Sequence, residues 1–327
     1  MGQPVVSVGI VTWNSAEVIT RCLGALAGTR DCRLEVLVLD NASADTTWTM
    51  VQASSVPTWR ERADRNTGFS AGHNRLIARS RAPYYLALNP DVEVAPDFVS
   101  RLVGAMERDP GLGSATGRLL LEYPAGSIDS TGIYLLPSQR HLDRGQGEPD
   151  LGQYERAELV FGASGAAALY RRAMLDEAAV EGEVFDESFF TYREDADLAW
   201  RAQLLGWPCL YVPEAVATHR RRVTPERRQT LPPALNRMSV RNRFLLRIKN
   251  QPARQAFRFL APALARDLQV VGYCLLREWT SLPALVEVLR LIPSTWRKRR
   301  VILARRKAPI EDLDRWFNER SRPYQSR

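Results

Sequence analysis

Carboxylates and carboxamides recur in this chain at the ends of short apolar runs, and its candidate chemistry gathers there. Tyr84–Leu88 is an apolar run of strand length that breaks at Asn89-Pro90-Asp91, because proline cannot continue a sheet ladder. Open α/β sheets bind ligands at the carboxyl ends of their strands. Asp91 is therefore placed in a crevice, with Asn89 on the same side two residues earlier; a plain strand followed by an Asx-Pro turn is the other reading. Val5–Thr12 ends alike at Thr12-Trp13-Asn14, and Glu35–Leu39 ends at Asp40-Asn41-Ala42-Ser43. The stretch Arg65–Asn74 brings Asn66, Gly68, Phe69 and Asn74 ahead of a helix over Arg75–Arg79. Its glycines and asparagines suit backbone held close to a ligand, with amides free for phosphate or sugar oxygens, or an ordinary glycine-rich helix start.

A second chemical stretch is Tyr192–Arg201. Leu198, Ala202 and Leu205 form a buried stripe, so a helix runs from near Glu194 to Gly206. Carboxylates in a first turn are favoured by the helix dipole, and Asp197 can pair with Arg201 at i,i+4. That accounts for Asp197. It does not require the adjacent Glu194 and Asp195 behind an aromatic run, Phe189-Phe190-Thr191-Tyr192, suited to a cleft wall. His219 follows a strand over Ala215–Thr218 and precedes Arg220-Arg221-Arg222; a lone histidine is structural more often than a ligand.

The elements that must position these groups alternate strand, helix, strand. Ser15 can cap a helix over Glu17–Leu26, Ser43 or Asp45 another, and Pro96–Arg108 forms a third that Asp109-Pro110-Gly111 stops. Short connections predict parallel pairing and right-handed crossovers, hence an α/β fold with a mostly parallel sheet flanked by helices. Thr12–Glu17 lacks the glycine-rich turn of a dinucleotide site, which disfavours an NAD enzyme.

The 327 residues are 45% hydrophobic, enough for a full core and against wholesale disorder. From His219 onward the chain holds 26 Lys and Arg against 8 Asp and Glu, a net of +18, whereas the preceding residues hold 19 against 29, a net of −10. An acidic body and a basic tail imply different partners. Cys22, Cys32, Cys209 and Cys274 fall at no metal-ligand spacing and suit a reducing cytosol. Met1–Val5 has no basic segment leading into an apolar run, and no stretch reaches spanning length, so neither a secretory leader nor a membrane span is expected.

The ordered succession Val-Thr-Trp-Asn, Leu-Asp-Asn-Ala-Ser, Asn-Thr-Gly-Phe-Ser-Ala-Gly-His-Asn, Leu-Asn-Pro-Asp-Val, Phe-Asp-Glu-Ser-Phe-Phe and Glu-Asp-Ala-Asp-Leu, covering about Val5 to His219, resembles the family 2 glycosyltransferases and within them the rhamnosyltransferase-like branch. The resemblance implies a GT-A fold over residues 1–219; residues 220–327, beyond its reach, read from their own pattern and charge as a basic helical region. It implies an inverting transfer in which Asp195 takes the proton of the acceptor hydroxyl, Glu194 positions the acceptor, and Thr12 and Asp40 hold ribose and base. Asp91 and His219 would hold Mg²⁺ or Mn²⁺, a hard cation that takes oxygen ligands and bridges the two phosphates. Many relatives carry Asp-x-Asp where this chain has Asn89-Pro90-Asp91, although this branch often shares the Asn-Pro-Asp form. The Gln-x-x-Arg-Trp signature of processive synthases is missing, and Asp312–Trp316 has only its Arg-Trp half. Transfer of one or a few sugars follows.

Partners implied are a dTDP- or UDP-sugar donor and a glycan or polyprenyl-linked acceptor in cell-envelope polysaccharide assembly. Leu119–Glu158, rich in Gly, Pro and charge, reads as an insertion facing the acceptor side. In Val160–Tyr170 the small Gly162 and Ala163 let substrate approach the backbone, or simply pack close. Asn236–Lys249 and Arg254–Arg277 carry apolar stripes, and Ser294–Lys307, with Trp296, Val301, Ile302 and Leu303, is a basic amphipathic segment. It either lies on an anionic membrane surface or packs on the acidic body. The expected location is the cytoplasm at the inner face of the plasma membrane; homo-oligomer formation stays open. Nucleic-acid binding through the tail is disfavoured by the acidic body. A catalytically silent nucleotide-sugar-binding or membrane-scaffold relative is the alternative function.

Overall fold

The computed structural model describes residues 5–221 and 232–324; Arg222 of the arginine run lies outside them. In chain order the elements are β1 (Val5–Thr12), α1 (Ile19–Ala27), β2 (Arg33–Asp40), α2 (Thr47–Ala53), β3 (Trp59–Arg62), α3 (Gly68–Arg79), β4 (Tyr84–Leu88), β5 (Val92–Val94), α4 (Phe98–Arg108) and β6 (Ser114–Leu121). There follow β7 (Ile128–Ser130), β8 (Ile133–Leu135), β9 (His141–Asp143), β10 (Glu158–Val160), β11 (Ala167–Arg171), α5 (Arg172–Ala178), α6 (Glu194–Leu205) and β12 (Cys209–His219). The last part comprises α7 (Pro233–Asn250), α8 (Ala253–Arg258), α9 (Leu260–Leu276), α10 (Pro283–Ala304), α11 (Ile310–Arg315) and β13 (Arg322–Pro323).

The sheet runs β13-β10-β12-β6-β11-β4-β1-β2-β3, with β5 on β12 and β7 on β6. β1 lies parallel between β2 and β4, and β3 continues in parallel beyond β2. β11 enters antiparallel between β4 and β6, and β12 is parallel to β6. Alternation along the strands sorts their side chains into two layers. Val6, Val8, Ile10, Leu86 and Leu88 pack under α1 and α4, while Leu37, Leu39, Tyr85 and Ala87 pack with α3, α5 and α6. The expected α/β sheet flanked by helices is present, and its strand ends share one edge.

Several local expectations shift. α1 starts at Ile19: the carbonyl of Ser15, not its hydroxyl, accepts the amides of Val18 and Ile19. Ser43 turns back onto Asp40, and Asp45 receives the Thr47 amide at the start of α2. The helix expected at Arg75 begins at Gly68, so Gly68 to Asn74 are helical. The segment Arg254–Arg277 divides at Phe259 into α8 and α9.

The C-terminal helices share a core with α6. Trp200 and Leu204 of α6 meet Leu245 and Leu246 of α7, Val288 and Ile302 of α10, and Trp316 and Phe317. Trp316 donates to Gln203 inside that core, 3.0 Å. Charge is threaded through the same contact. Lys249 bridges Asp186 (2.6 Å) and Asp197 (2.7 Å), Arg201 holds Asp197 at 2.9 Å, and Lys298 reaches Asp186 at 2.8 Å. The Ser294–Lys307 segment thus packs on the acidic body: Lys298 is buried, Ile302 is in the core, and Arg297 and Lys307 pair with Glu181 and Glu177.

Burial alone would raise the Asp186 carboxyl, but the charges of Lys249 and Lys298 prevail and hold it well below the usual range. A depressed carboxyl stabilises the fold above the unfolded-chain pKa of about 4 and ceases to do so as pH falls below it. Lys249→Met, which strips a buried carboxylate pair of its shared cation, is expected to cost about 3–5 kcal/mol in urea unfolding at pH 7. Its stability should also fall less steeply than the wild type's below about pH 4; an unchanged acid slope would show that the network does not set it.

Candidate active site

A cavity of about 500 Å³ opens where the β4–β5 turn, the Ser164–Ala166 turn, the start of α6 and the end of β12 converge. Asn89, Asp91, Phe69, Glu194, Asp195 and His219 all line it. Antiparallel pairing of β5 with β12 sets His219 opposite Val92 and so beside Asp91, with Nε2 3.3 Å from Asp91 Oδ1. The other ring nitrogen, Nδ1, lies 2.7 Å from Asp129 of β7, a fully buried carboxylate that Arg221 also approaches at 3.2 Å. Burial pulls the His219 pKa down, yet hydrogen bonds to Asp129 and Asp91 outweigh it and raise the group to about 9. Asp129 thereby fixes the ring, leaving Nε2 to the Asp91 side.

Glu194 and Asp195 occupy the first turn of α6. The loop leading to them is wound through left-handed backbone at Phe190 (φ 64°), Tyr192 (φ 69°) and Arg193 (φ 73°), conformations that cost free energy and persist only when their surroundings enforce them. The enforcement comes from α7: the Asn242 amide donates to the carbonyls of Phe189, Thr191 and Tyr192 at 2.8, 2.9 and 2.9 Å, and Arg241 donates to that of Ser188 at 2.6 Å. Asp195 Oδ2 accepts from the Gly165 amide (3.1 Å) and Oδ1 from the Ala196 amide (2.7 Å). A Cβ on Gly165 would come within 3.3 Å of Asp195, so this close approach favours glycine. Burial raises the Asp195 carboxyl despite its amide donors. Glu194, buried with Oε2 lacking a partner among the described residues, is pushed up further by burial and by the Asp195 charge. Such a pair holds a proton readily and can pass one.

The insertion supplies a wall of the cavity through Arg140, His141, Asp143 and Gln146. His141 meets Arg193 at 2.8 Å, and burial followed by three neighbouring arginines holds it well below its ordinary pKa. Arg221 joins Asp143 at 2.9 Å. Within the insertion no individual signal marked Asp129, Arg140, His141 or Asp143: the segment is aperiodic, and the pairing of Asp129 with His219 spans 90 residues.

Other residues singled out in sequence are placed elsewhere. Thr12 and Asp40 are fully buried and bonded to each other at 2.9 Å, with Asp40 also accepting the Ser43 amide, so neither faces the cavity. Asn14 accepts the Ala44 amide and ties two loops together. Asn41 receives Thr67 and donates to Gly68, Asn66 accepts the Gly68 amide, and Asn74 clasps the backbone of Phe185 from both sides. These carboxamides satisfy backbone groups. Gly162 is a packing glycine whose added Cβ would lie 2.3 Å from that of Ala199, and Ala163 is in the core. The small residues that do reach the cavity are Ser164, Gly165 and Ala166.

With β3, β2, β1 and β4 parallel and Asn89 and Asp91 carried into the cavity from the end of β4, the fold is of the GT-A type. The chain belongs to glycosyl transferase family 2, whose model matches residues 7–178. It is 30% identical over 246 residues to the N-acetylglucosaminyl-diphospho-decaprenol L-rhamnosyltransferase of Mycobacterium tuberculosis, covering 66% of this chain and 76% of that one. It is 28% identical over 225 residues to glucomannan 4-beta-mannosyltransferase 2 of Arabidopsis thaliana, covering 64% and 39%. In fold it is similar to S. aureus TarS 1-349, with TM-score 0.58, 15% identity and 96% and 90% of the two chains covered. It is likewise similar to the mannosyltransferase PcManGT of Pyrobaculum calidifontis in complex with GDP-Man and Mn2+, with TM-score 0.53, 16% identity, and 98% and 89% covered.

Asn242→Ala removes the amide group that contacts the three carbonyls of the left-handed loop. We expect kcat to fall about tenfold or more, because small misplacements of a catalytic group are costly, with donor affinity unchanged. Equal loss in kcat and donor affinity would mean that α7 supports the fold generally.

Proposed function

We propose that the protein transfers a sugar, rhamnose first among the candidates, from a dTDP- or UDP-sugar to a hydroxyl of a polyprenyl-diphosphate-linked glycan, with inversion, in cell-envelope polysaccharide assembly at the cytoplasmic face of the membrane. One observation carries the reading: Asp195 and the Asp91–His219 pair open into the same cavity. The rhamnosyltransferase relative, by its name, acts on a diphospho-decaprenol acceptor, which supports the lipid-linked class. Complexes of similar folds with UDP-GlcNAc and with GDP-Man and Mn2+ support a nucleotide-sugar donor.

Asp195, with its proton affinity raised by burial, takes the hydrogen of the acceptor hydroxyl as that oxygen bonds to the anomeric carbon. The bond from that carbon to the diphosphate breaks on the opposite face, and no covalent intermediate is needed. Glu194, the residue before it, has its carboxyl pushed up by burial and by the Asp195 charge and lines the same cavity, where it would position the acceptor. Gly165 fixes the Asp195 carboxylate by its amide, and Phe69 and Tyr192 exclude water from the walls.

The candidate ligands for a hard divalent cation are Asp91 and the His219 nitrogen that faces it, which would have to give up the proton that Asp91 and Asp129 now favour. Among the described residues no cluster of three or more His, Cys, Asp or Glu is formed, so Asp91 and His219 Nε2 would hold Mg²⁺ or Mn²⁺ together with substrate phosphate oxygens, the manner in which Mg²⁺ commonly binds. When bound, the ion offsets the charge that grows on the departing diphosphate.

Thermal unfolding with dTDP, UDP, GDP and ADP, each with and without Mn²⁺, tests the donor: a ligand at a hundred times its Kd adds about 2.7 kcal/mol, a rise of several degrees. A metal-dependent rise with dTDP or UDP is expected, and no rise with either would overturn the donor reading. Asp195→Asn should keep that rise and lose about 10²–10⁴ in kcat. Undiminished turnover would remove Asp195 as base, and a rise without turnover in the wild type would point to a nucleotide-sugar-binding relative that performs no transfer.

A further inference from the structure

α9 is buried only at Ala263 and Cys274, an unusual state for a helix of 17 residues in a water-facing protein. Leu260, Leu264 and Leu268 stand at i, i+4 and i+8 on its open side, and Leu275 and Leu276 continue the apolar surface. Cys274 meets Ala284 of α10 over Val240, so the two helices adjoin. Across that junction Trp279, Val286, Leu289 and Trp296 extend the same exposure, with Leu268 at 74% and Trp279 at 73%.

The charges around this face have one sign. Asp267 is turned inward to Arg243 and Arg247, Glu287 to Arg237 and Arg241, and Glu278 accepts the Ser281 hydroxyl. Arg277, Arg290 and Arg300 are exposed and make no ion pair among the described residues, and the Arg299 guanidinium stands over the Trp296 ring at 5.2 Å. Leucine, indole and arginine on one face, with no outward acid, complement the acyl and anionic headgroup zones of a bilayer. A two-fold contact between copies would set these arginines against their own counterparts. No helix among the described residues is long and apolar enough to cross a membrane, so the face lies along the surface.

We propose that the outward face of α9 and α10 is a docking surface for an anionic lipid bilayer, placed so that the cavity opens beside the membrane. The placement comes from α9 itself. Arg243 of α7 binds both Asp267 of α9 and the Ser138 carbonyl, and Arg266 of α9 is near enough to Arg140, in the cavity wall, for their charges to repel. The surface is distinct from Ser294–Lys307, of which Trp296 is the part that belongs to it.

Cosedimentation of the full-length protein with phosphatidylcholine vesicles, with and without phosphatidylglycerol, tests this. The wild type should partition onto the anionic vesicles, and Leu264→Glu/Leu268→Glu/Leu289→Glu should bind about a hundredfold more weakly. An unchanged unfolding midpoint and nucleotide response in the variant would show that its fold is intact; if it fails to fold, Leu268→Glu alone serves with an expected loss of about tenfold. Equal partition of wild type and variant, or none by the wild type, overturns the proposal. So does a wild-type dimer in ultracentrifugation that the variant dissociates, which would give the face to a second copy. The acceptor reading is tested separately: vesicle binding without transfer to a lipid-linked acceptor would count against that reading and leave the docking surface standing.

Discussion

Buried charge must be paired, and in this protein one pairing holds the two ends of the chain together. Asp197 is fully buried in α6 and is met by Arg201, Lys249 and Asn250, while Asp186 is met by Lys249 and Lys298. Lys249 and Asn242 lie two turns apart on α7. The same helix that neutralises Asp197 therefore braces the loop in front of Asp195, two residues away. Removing α7 would leave a buried carboxylate uncompensated and the catalytic turn without support.

The division of charge between body and tail acquires a physical meaning in this light. Part of the tail's positive charge pairs with acids of the body, Arg297 with Glu181 and Lys307 with Glu177 at the surface, and Lys298 with Glu183 and the buried Asp186. What remains outward is a smaller set of arginines among exposed leucines and tryptophans. Net charge alone could not separate these roles, because it records neither which side of a helix a cation occupies nor what it meets.

The sheet was legible because its strands are short apolar runs that break at Thr12, Asp40 and Asn89, the ends where a parallel sheet carries polar groups. Asp91, Asp195 and His219 were legible for the same reason, as groups at the ends of elements, and they do share a cavity. The asparagines were ambiguous in sequence because a carboxamide that can meet a ligand meets a backbone equally well, and Asn41, Asn66 and Asn74 all meet backbone groups here. Asp129 and Asn242 were invisible since each acts across long sequence separation, 90 residues to His219 and 53 to Phe189. The outward face of α9 escaped notice because its periodicity looked like that of a core helix.

The left-handed loop has a consequence for the order in which the protein comes into being. A ribosome releases the chain in order, so β1 to β12 emerge before α7. Asp195 therefore leaves the ribosome ahead of Asn242, whose amide meets the three carbonyls in front of it. The loop before Asp195 thus gains its brace only once α7 has been made, later in synthesis than the loop itself.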